Sequence, residues 1–160
     1  MKVISLIGAR PQFIKEAIVG AELRKAGIDE VLVNTGQHYD ANMSDVFIEG
    51  LSIKTPDYNL GVGSGSHAYQ TATTMLRLEE VVLKEKPDLI MVYGDTNATV
   101  AGALVGSKLK IPVAHVEAGL RQHPKDMPEE INRVVTDHIS SLLFCPTEKA
   151  VDNLEKEGIT

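Results

Sequence analysis

Short apolar runs alternate with longer stretches of helical period along this chain. Residues 3–7 (Val-Ile-Ser-Leu-Ile) have strand length and stop at Gly8. Residues 11–26 open on Pro11, keep Ile14, Ile18, Ala21 and Leu23 at helical spacing and end at Gly27, which predicts a helix. A second strand over 31–33 closes at Asn34-Thr35-Gly36. Residues 40–50, with Met43, Val46, Phe47 and Ile48, predict a short helix ended by Gly50. Residues 56–60 read as an extended edge strand and 61–66 (Gly-Val-Gly-Ser-Gly-Ser) as a flexible loop. The longest helix is expected over 67–86, broken by Pro87. Residues 89–93 (Leu-Ile-Met-Val-Tyr) form an almost continuous apolar run, the kind buried on both faces of a parallel sheet. A small-residue helix over 97–108, a strand over 112–116, a helix over 129–140, a strand over 141–145 and a helix over 147–157 capped by Thr147 complete the pattern.

Alternation of strand and helix, repeated about five times, predicts an α/β fold with a parallel sheet. No internal repeat or low-complexity segment interrupts it. A chain of 160 residues with 43% hydrophobic and 24% charged content fits one soluble domain. It buries roughly 70% of its unfolded surface without needing disulfide staples. The 16 Lys+Arg against 22 Asp+Glu give a net charge of −6, which argues against a general nucleic-acid binder. The single cysteine, Cys145, excludes an internal disulfide framework and suits a reducing compartment. No stretch approaches the ~20 apolar residues of a membrane span, and residues 3–9 are too short for a signal segment. The cytoplasm is the expected location, with no membrane partner.

Ligands of an open parallel sheet bind outside the carboxyl ends of its strands, near the switch point. Gly8-Ala9-Arg10-Pro11 follows the first strand, and Lys15 lies one turn into the helix. A helix start with Arg10 and Lys15 suits a phosphate. The alternative is that Arg10 pairs with a carboxylate and Lys15 is solvated. No GxGxxG follows that strand and no acidic residue closes the second, so a dinucleotide dehydrogenase is excluded. No GxxxxGK[ST] is present either, which excludes a P-loop NTPase.

Gly94-Asp95-Thr96-Asn97 follows the strand at 89–93, where Asp95 reads either as a helix cap or as a catalytic acid. Glu117 follows the strand at 112–116. Glu129 opens a helix after Pro128, where its plain role is to stabilise the helix dipole. Asp95, Glu117 and Glu129 nevertheless fall on one rim beside the basic turn, and crowding there is expected to keep one of them protonated. His115 with Glu117, and Asp137 with His138, are considered as metal ligands and set aside, because strand-end histidines bonded to backbone explain them better. His38 stands on a polar loop after the second strand. His67 and His123 read as solvated loop residues.

Taken together, Gly8-Ala9-Arg10-Pro11, Thr35-Gly36-Gln37-His38, Gly94-Asp95-Thr96, the HVEAGLR run at 115–121 and the PEEINR run at 128–133 stand in the order and spacing of the UDP-N-acetylglucosamine 2-epimerases. The sequence resembles that family over its whole length. The resemblance implies a Rossmann-like three-layer α/β/α parallel sheet, one lobe of a two-lobed GT-B-type enzyme nearly twice this length or more. Residues 1–160 are then the amino-terminal lobe, with the second nucleotide-binding lobe absent from the chain and turnover by the lobe alone not expected. It further implies a cofactor-free, metal-free inversion at C2, UDP-GlcNAc to UDP-ManNAc, serving polysaccharide precursor synthesis in a homodimer.

On that resemblance Asp95, Glu117 and Glu129 are the catalytic carboxylates, with acid and base unassigned. Arg10 and Lys15 face the leaving pyrophosphate, and Gln37, His38, Thr96 and Arg133 bind substrate. Gln12 stands where many relatives carry Glu. The loop at 61–66 lacks an arginine that some bacterial relatives use at a second, activating site, which Gln37 and His38 otherwise match. The Arg-Pro-Gln-Phe form also resembles relatives acting on UDP-2,3-diacetamido-glucuronic acid. A hydrolysing epimerase and a non-catalytic nucleotide-sugar-binding domain are the remaining readings.

Overall fold

The computed structural model describes residues 1–36, 54–122 and 126–159. The helix expected over 40–50, together with Gln37, His38 and His123, lies outside the described residues. Strands β1 (Lys2–Ile7), β2 (Asp29–Asn34), β3 (Tyr58–Asn59), β4 (Leu89–Tyr93), β5 (Val113–Val116) and β6 (Leu142–Phe144) form one sheet. Helices α1 (Arg10–Lys25), α2 (His67–Glu85), α3 (Asn97–Lys108), α4 (Pro128–Ile139) and α5 (Glu148–Lys156) connect and flank them. Each falls where the apolar pattern places it, within a residue or two at the ends.

Every strand pair is parallel, in the order β3-β2-β1-β4-β5-β6. That order is the Rossmann one, and it reverses between β1 and β4, the topological switch point. Alternate residues feed the two faces. Ile4 and Leu6 join Val31, Val33, Ile90, Val92 and Val113 against α2 and α3. Val3 and Ile7 join Leu32, Leu89, Met91 and Tyr93 on the side of α1. Val92 is fully buried, as a parallel-sheet centre requires. Helix α3 lies close on the sheet because Gly102 faces it: a Cβ there would stand 2.7 Å from Leu6 Cδ2 and 2.8 Å from Val92 Cγ1. No helix among the described residues is long and apolar enough to cross a membrane.

Helix α1 departs from its apolar pattern. Its buried positions are Gln12, Phe13, Glu16 and Gly20, while Ile14 and Ile18 are exposed. Gln12 and Glu16 are one turn apart and share the inward stripe, so two polar side chains occupy places the spacing would give to isoleucines. Ile18 instead borders an open groove of about 400 Å³ with Val19, Leu23, Met91, Val116 and Phe144. Under α1, Glu30 accepts from Ser5 Oγ and Arg24, both at 2.7 Å. Neither carboxyl oxygen of Glu16 accepts a hydrogen bond, and Arg24 Nη1 stands 3.8 Å from its Oε1. Burial first, then the neighbouring Glu30 charge, pushes Glu16 up to about 7.

Candidate active site

The exits of β1 and β4 flank the switch point, and the exit of β5 lies next to them. Gly94 ends β4 with φ +65, a left-handed turn that points the chain toward α3. Asp95 follows, half-buried, and its carboxylate forms an ion pair with Arg133 from α4. Its backbone carbonyl accepts from Asn132 Nδ2 at 2.9 Å. Thr96 caps α3, and its N–H donates to Thr99 Oγ1 at 3.1 Å.

Glu117 leaves β5 with φ +78, one of three described non-glycine residues in the left-handed region. Strain of this kind gathers where a side chain must be aimed at a task. Glu117 pairs with Lys15, which reaches up from α1. Both face the β4 turn: a methyl at Gly94 would lie 3.4 Å from Glu117 Oε2 and 3.5 Å from Lys15 Nζ. Asp95 and Glu117 therefore each stand against a cation. The rim alternates charge, and the expectation of carboxylates crowding one another is corrected accordingly.

Behind the rim runs a buried polar chain. His115 Nε2 donates to the Gly94 carbonyl at 2.7 Å, and its Nδ1 lies 2.6 Å from Asp137 Oδ1. Asp137 Oδ2 accepts from Gly119 N at 3.1 Å and Arg121 at 2.7 Å. Burial pushes the Asp137 carboxyl up, but His115, Arg121 and the Gly119 N–H outweigh it and hold it below its ordinary value. The His115–Asp137 pair thus braces the turns that carry Asp95 and Glu117. His115 is a strand-end histidine bonded to backbone, and no group of three or more metal-ligating side chains occurs among the described residues.

Of the other expected site residues, Thr96 and Arg133 stand at the Asp95 turn. Arg10 begins α1 and is exposed, and Glu129 is exposed in the first turn of α4. Lys15, expected at a leaving phosphate, is bound to Glu117. The N–H groups of Gly8 and Ala9 do not wait for an anion, because both donate to Gln12 Oε1, at 2.7 and 2.9 Å. His67 begins α2 where the helix pattern places it; it is exposed, and its Nδ1 lies 3.1 Å from Asn97 Nδ2. Asn97 and Asn132 received no role from the sequence, Gln12 was marked only as a departure from the relatives' Glu, and Asp137 was weighed only as a metal ligand. Their one signal was a polar residue on a helix face that should have been apolar.

Strand order and rim together make the chain a Rossmann-like α/β lobe with its candidate chemistry at the switch point. A family model described as UDP-N-acetylglucosamine 2-epimerase matches residues 21–160, and the chain belongs to that family. A UDP-N-acetylglucosamine 2-epimerase homolog from Methanococcus maripaludis is 59% identical over 99% of the chain and 44% of its own length. A UDP-2,3-diacetamido-2,3-dideoxy-D-glucuronate 2-epimerase from Pseudomonas aeruginosa is 54% identical over 99% of the chain and 45% of its own length. The crystal structure of Methanocaldococcus jannaschii UDP-GlcNAc 2-epimerase in complex with UDP-GlcNAc and UDP superimposes with a TM-score of 0.97 at 54% identity, over the whole chain and 44% of that one. A glycosyltransferase from Streptomyces, 13% identical with a TM-score of 0.58, shares the fold alone. The chain spans less than half the length of the relatives it matches.

Proposed function

We propose that the chain is the amino-terminal lobe of a GT-B-type enzyme that inverts C2 of UDP-N-acetylglucosamine to give UDP-N-acetylmannosamine. The observation that carries the reading is the pair of strand-end carboxylates, Asp95 after β4 and Glu117 after β5, each held against a cation at the switch-point rim. UDP leaves C1 with the electron pair of the C1–O bond. A carboxylate takes the C2 proton, and the C–H pair becomes the C1=C2 bond of 2-acetamidoglucal. UDP then adds back to C1 while an acid delivers a proton to the other face of C2. Two faces need two proton-transfer groups, drawn from Asp95, Glu117 and Glu129. The steps balance with no external oxidant or reductant.

Arg10 and Lys15 neutralise the departing diphosphate, and Gln37, His38, Thr96 and Arg133 complete the substrate contacts. The reading includes a homodimer, supported by the exposed apolar side chains Tyr69, Leu76 and Leu83 at heptad spacing along α2. It also includes a role in cytoplasmic synthesis of polysaccharide precursors, supported by the nucleotide sugar in the names of the relatives. A second reading, inversion of a UDP-2,3-diacetamido-glucuronate, is favoured by the 54% identity to the Pseudomonas enzyme. Product analysis by NMR with each UDP-sugar in turn separates them. UDP-ManNAc from UDP-GlcNAc supports the first. Turnover of the glucuronate alone supports the second. Free ManNAc with UDP marks a hydrolysing enzyme, and binding without turnover in the complete protein marks a non-catalytic domain.

A further inference from the structure

Gln12 lies buried, 2% exposed, between the two turns that flank the switch point. Its Oε1 accepts from Gly8 N and Ala9 N, the turn that leads into Arg10. Its Nε2 donates to the Tyr93 carbonyl at 2.7 Å and reaches Thr96 Oγ1 at 3.0 Å and Thr99 Oγ1 at 3.1 Å, the turn that carries Asp95. The amide has one orientation, because its oxygen faces two N–H donors and its nitrogen faces a carbonyl. Leaving such buried partners unpaired is costly, so the two turns move with the amide or not at all.

We propose that Gln12 is a positioning residue that couples the Arg10 turn to the Asp95–Thr96 turn, so that an anion held at the first sets the geometry of the second. The proposal rests on the reading that these turns serve the leaving diphosphate and the proton-transfer groups. A methionine of similar size keeps neither half of the link. A glutamate keeps the acceptor for Gly8 and Ala9 but loses the donor to Tyr93.

The test is a titration of the 15N-labelled chain with inorganic pyrophosphate, following the amide resonances of Gly8 to Arg10 and of Thr96 to Thr99. In the parent chain both sets shift along one saturation curve. In Gln12→Met the Gly8–Arg10 set still shifts, while the Thr96–Thr99 response falls at least threefold. Gln12→Glu, with its first turn satisfied but its carboxyl set against the Tyr93 carbonyl, melts below the parent and loses the same distal response. A residue that merely supports the fold would lower the melting temperature and leave the distal response intact. Equal Thr96–Thr99 responses in parent and variants overturn the coupling. A parent chain that responds only at Gly8–Arg10 also overturns it while sparing the diphosphate reading. No response at either turn removes that reading and the coupling with it.

Discussion

Replacing Glu16 by glutamine isolates the buried carboxyl pair under α1. Glu16 is fully buried, its oxygens accept no hydrogen bond, and burial with the Glu30 charge outweighs Arg24 at 3.8 Å to push it from an ordinary 4.5 up to about 7. A carboxyl raised in the folded state keeps its proton longer there than in the unfolded chain. Below about 4.5 both states hold the Glu16 proton and the ionisation penalty vanishes. From there to about 7 the unfolded chain releases a proton that the folded chain retains, so stability falls by about 1.4 kcal/mol per pH unit. Above that window the full penalty of about 3 kcal/mol persists.

Glutamine resembles the protonated carboxyl in shape, does not ionise, and presents N–H groups to Glu30. Glu16→Gln is therefore expected to match the parent at pH 4 and to exceed it by about 3 kcal/mol at pH 8, or roughly 6–12 °C in melting temperature. Urea denaturation at half-unit steps from pH 4 to 8.5 reads the difference directly. Parallel curves for parent and variant, offset by a constant, would refute the argument, because they would mean that Glu16 ionises alike in both states.

Asp137→Asn removes the charge between His115 and Arg121 and is expected to cost about 3 kcal/mol at neutral pH. Because that carboxyl is held low when folded, its contribution is present above the ordinary value of 3.8 and fades as pH falls through its folded value, so acid melts of the variant lose this slope. Glu117→Gly and Glu117→Ala lose the same ion pair, yet the glycine variant should be more stable by about 1 kcal/mol, since φ +78 suits glycine; equal melting curves would deny the strain. Gly102→Ala drives a methyl to 2.7 Å from Leu6 Cδ2 and should cost about 1–3 kcal/mol despite its better helix propensity, read as a lower urea midpoint.

Strand and helix placement was legible because burial on both sheet faces leaves a signature, as in residues 89–93, and because Pro11, Gly27 and Pro87 punctuate the chain. The carboxylates were legible for a related reason: a parallel sheet gathers whatever follows its strands at one rim, so Asp95 and Glu117 could be located before any contact was known. Helix α1 hid its inward face, because the stripe that binds the switch point is polar at Gln12 and Glu16 while Ile14 and Ile18 look outward. The partners of the rim were hidden too. Arg133 on Asp95 and Lys15 on Glu117 are separated by 38 and 102 residues from their carboxylates, and no local pattern reports a contact of that range.

The proposed function turns on proton transfer at C2 by the strand-end carboxylates. The direct measurement is NMR of UDP-GlcNAc in heavy water with the enzyme that carries this lobe, as parent and as Glu117→Gln. Deuterium is expected at C2 of both UDP-GlcNAc and UDP-ManNAc, slowed at least ~100-fold in the variant, the scale of one lost acid–base group. Epimerisation that keeps C2 protonated, or a variant that exchanges at the parent rate, would contradict it.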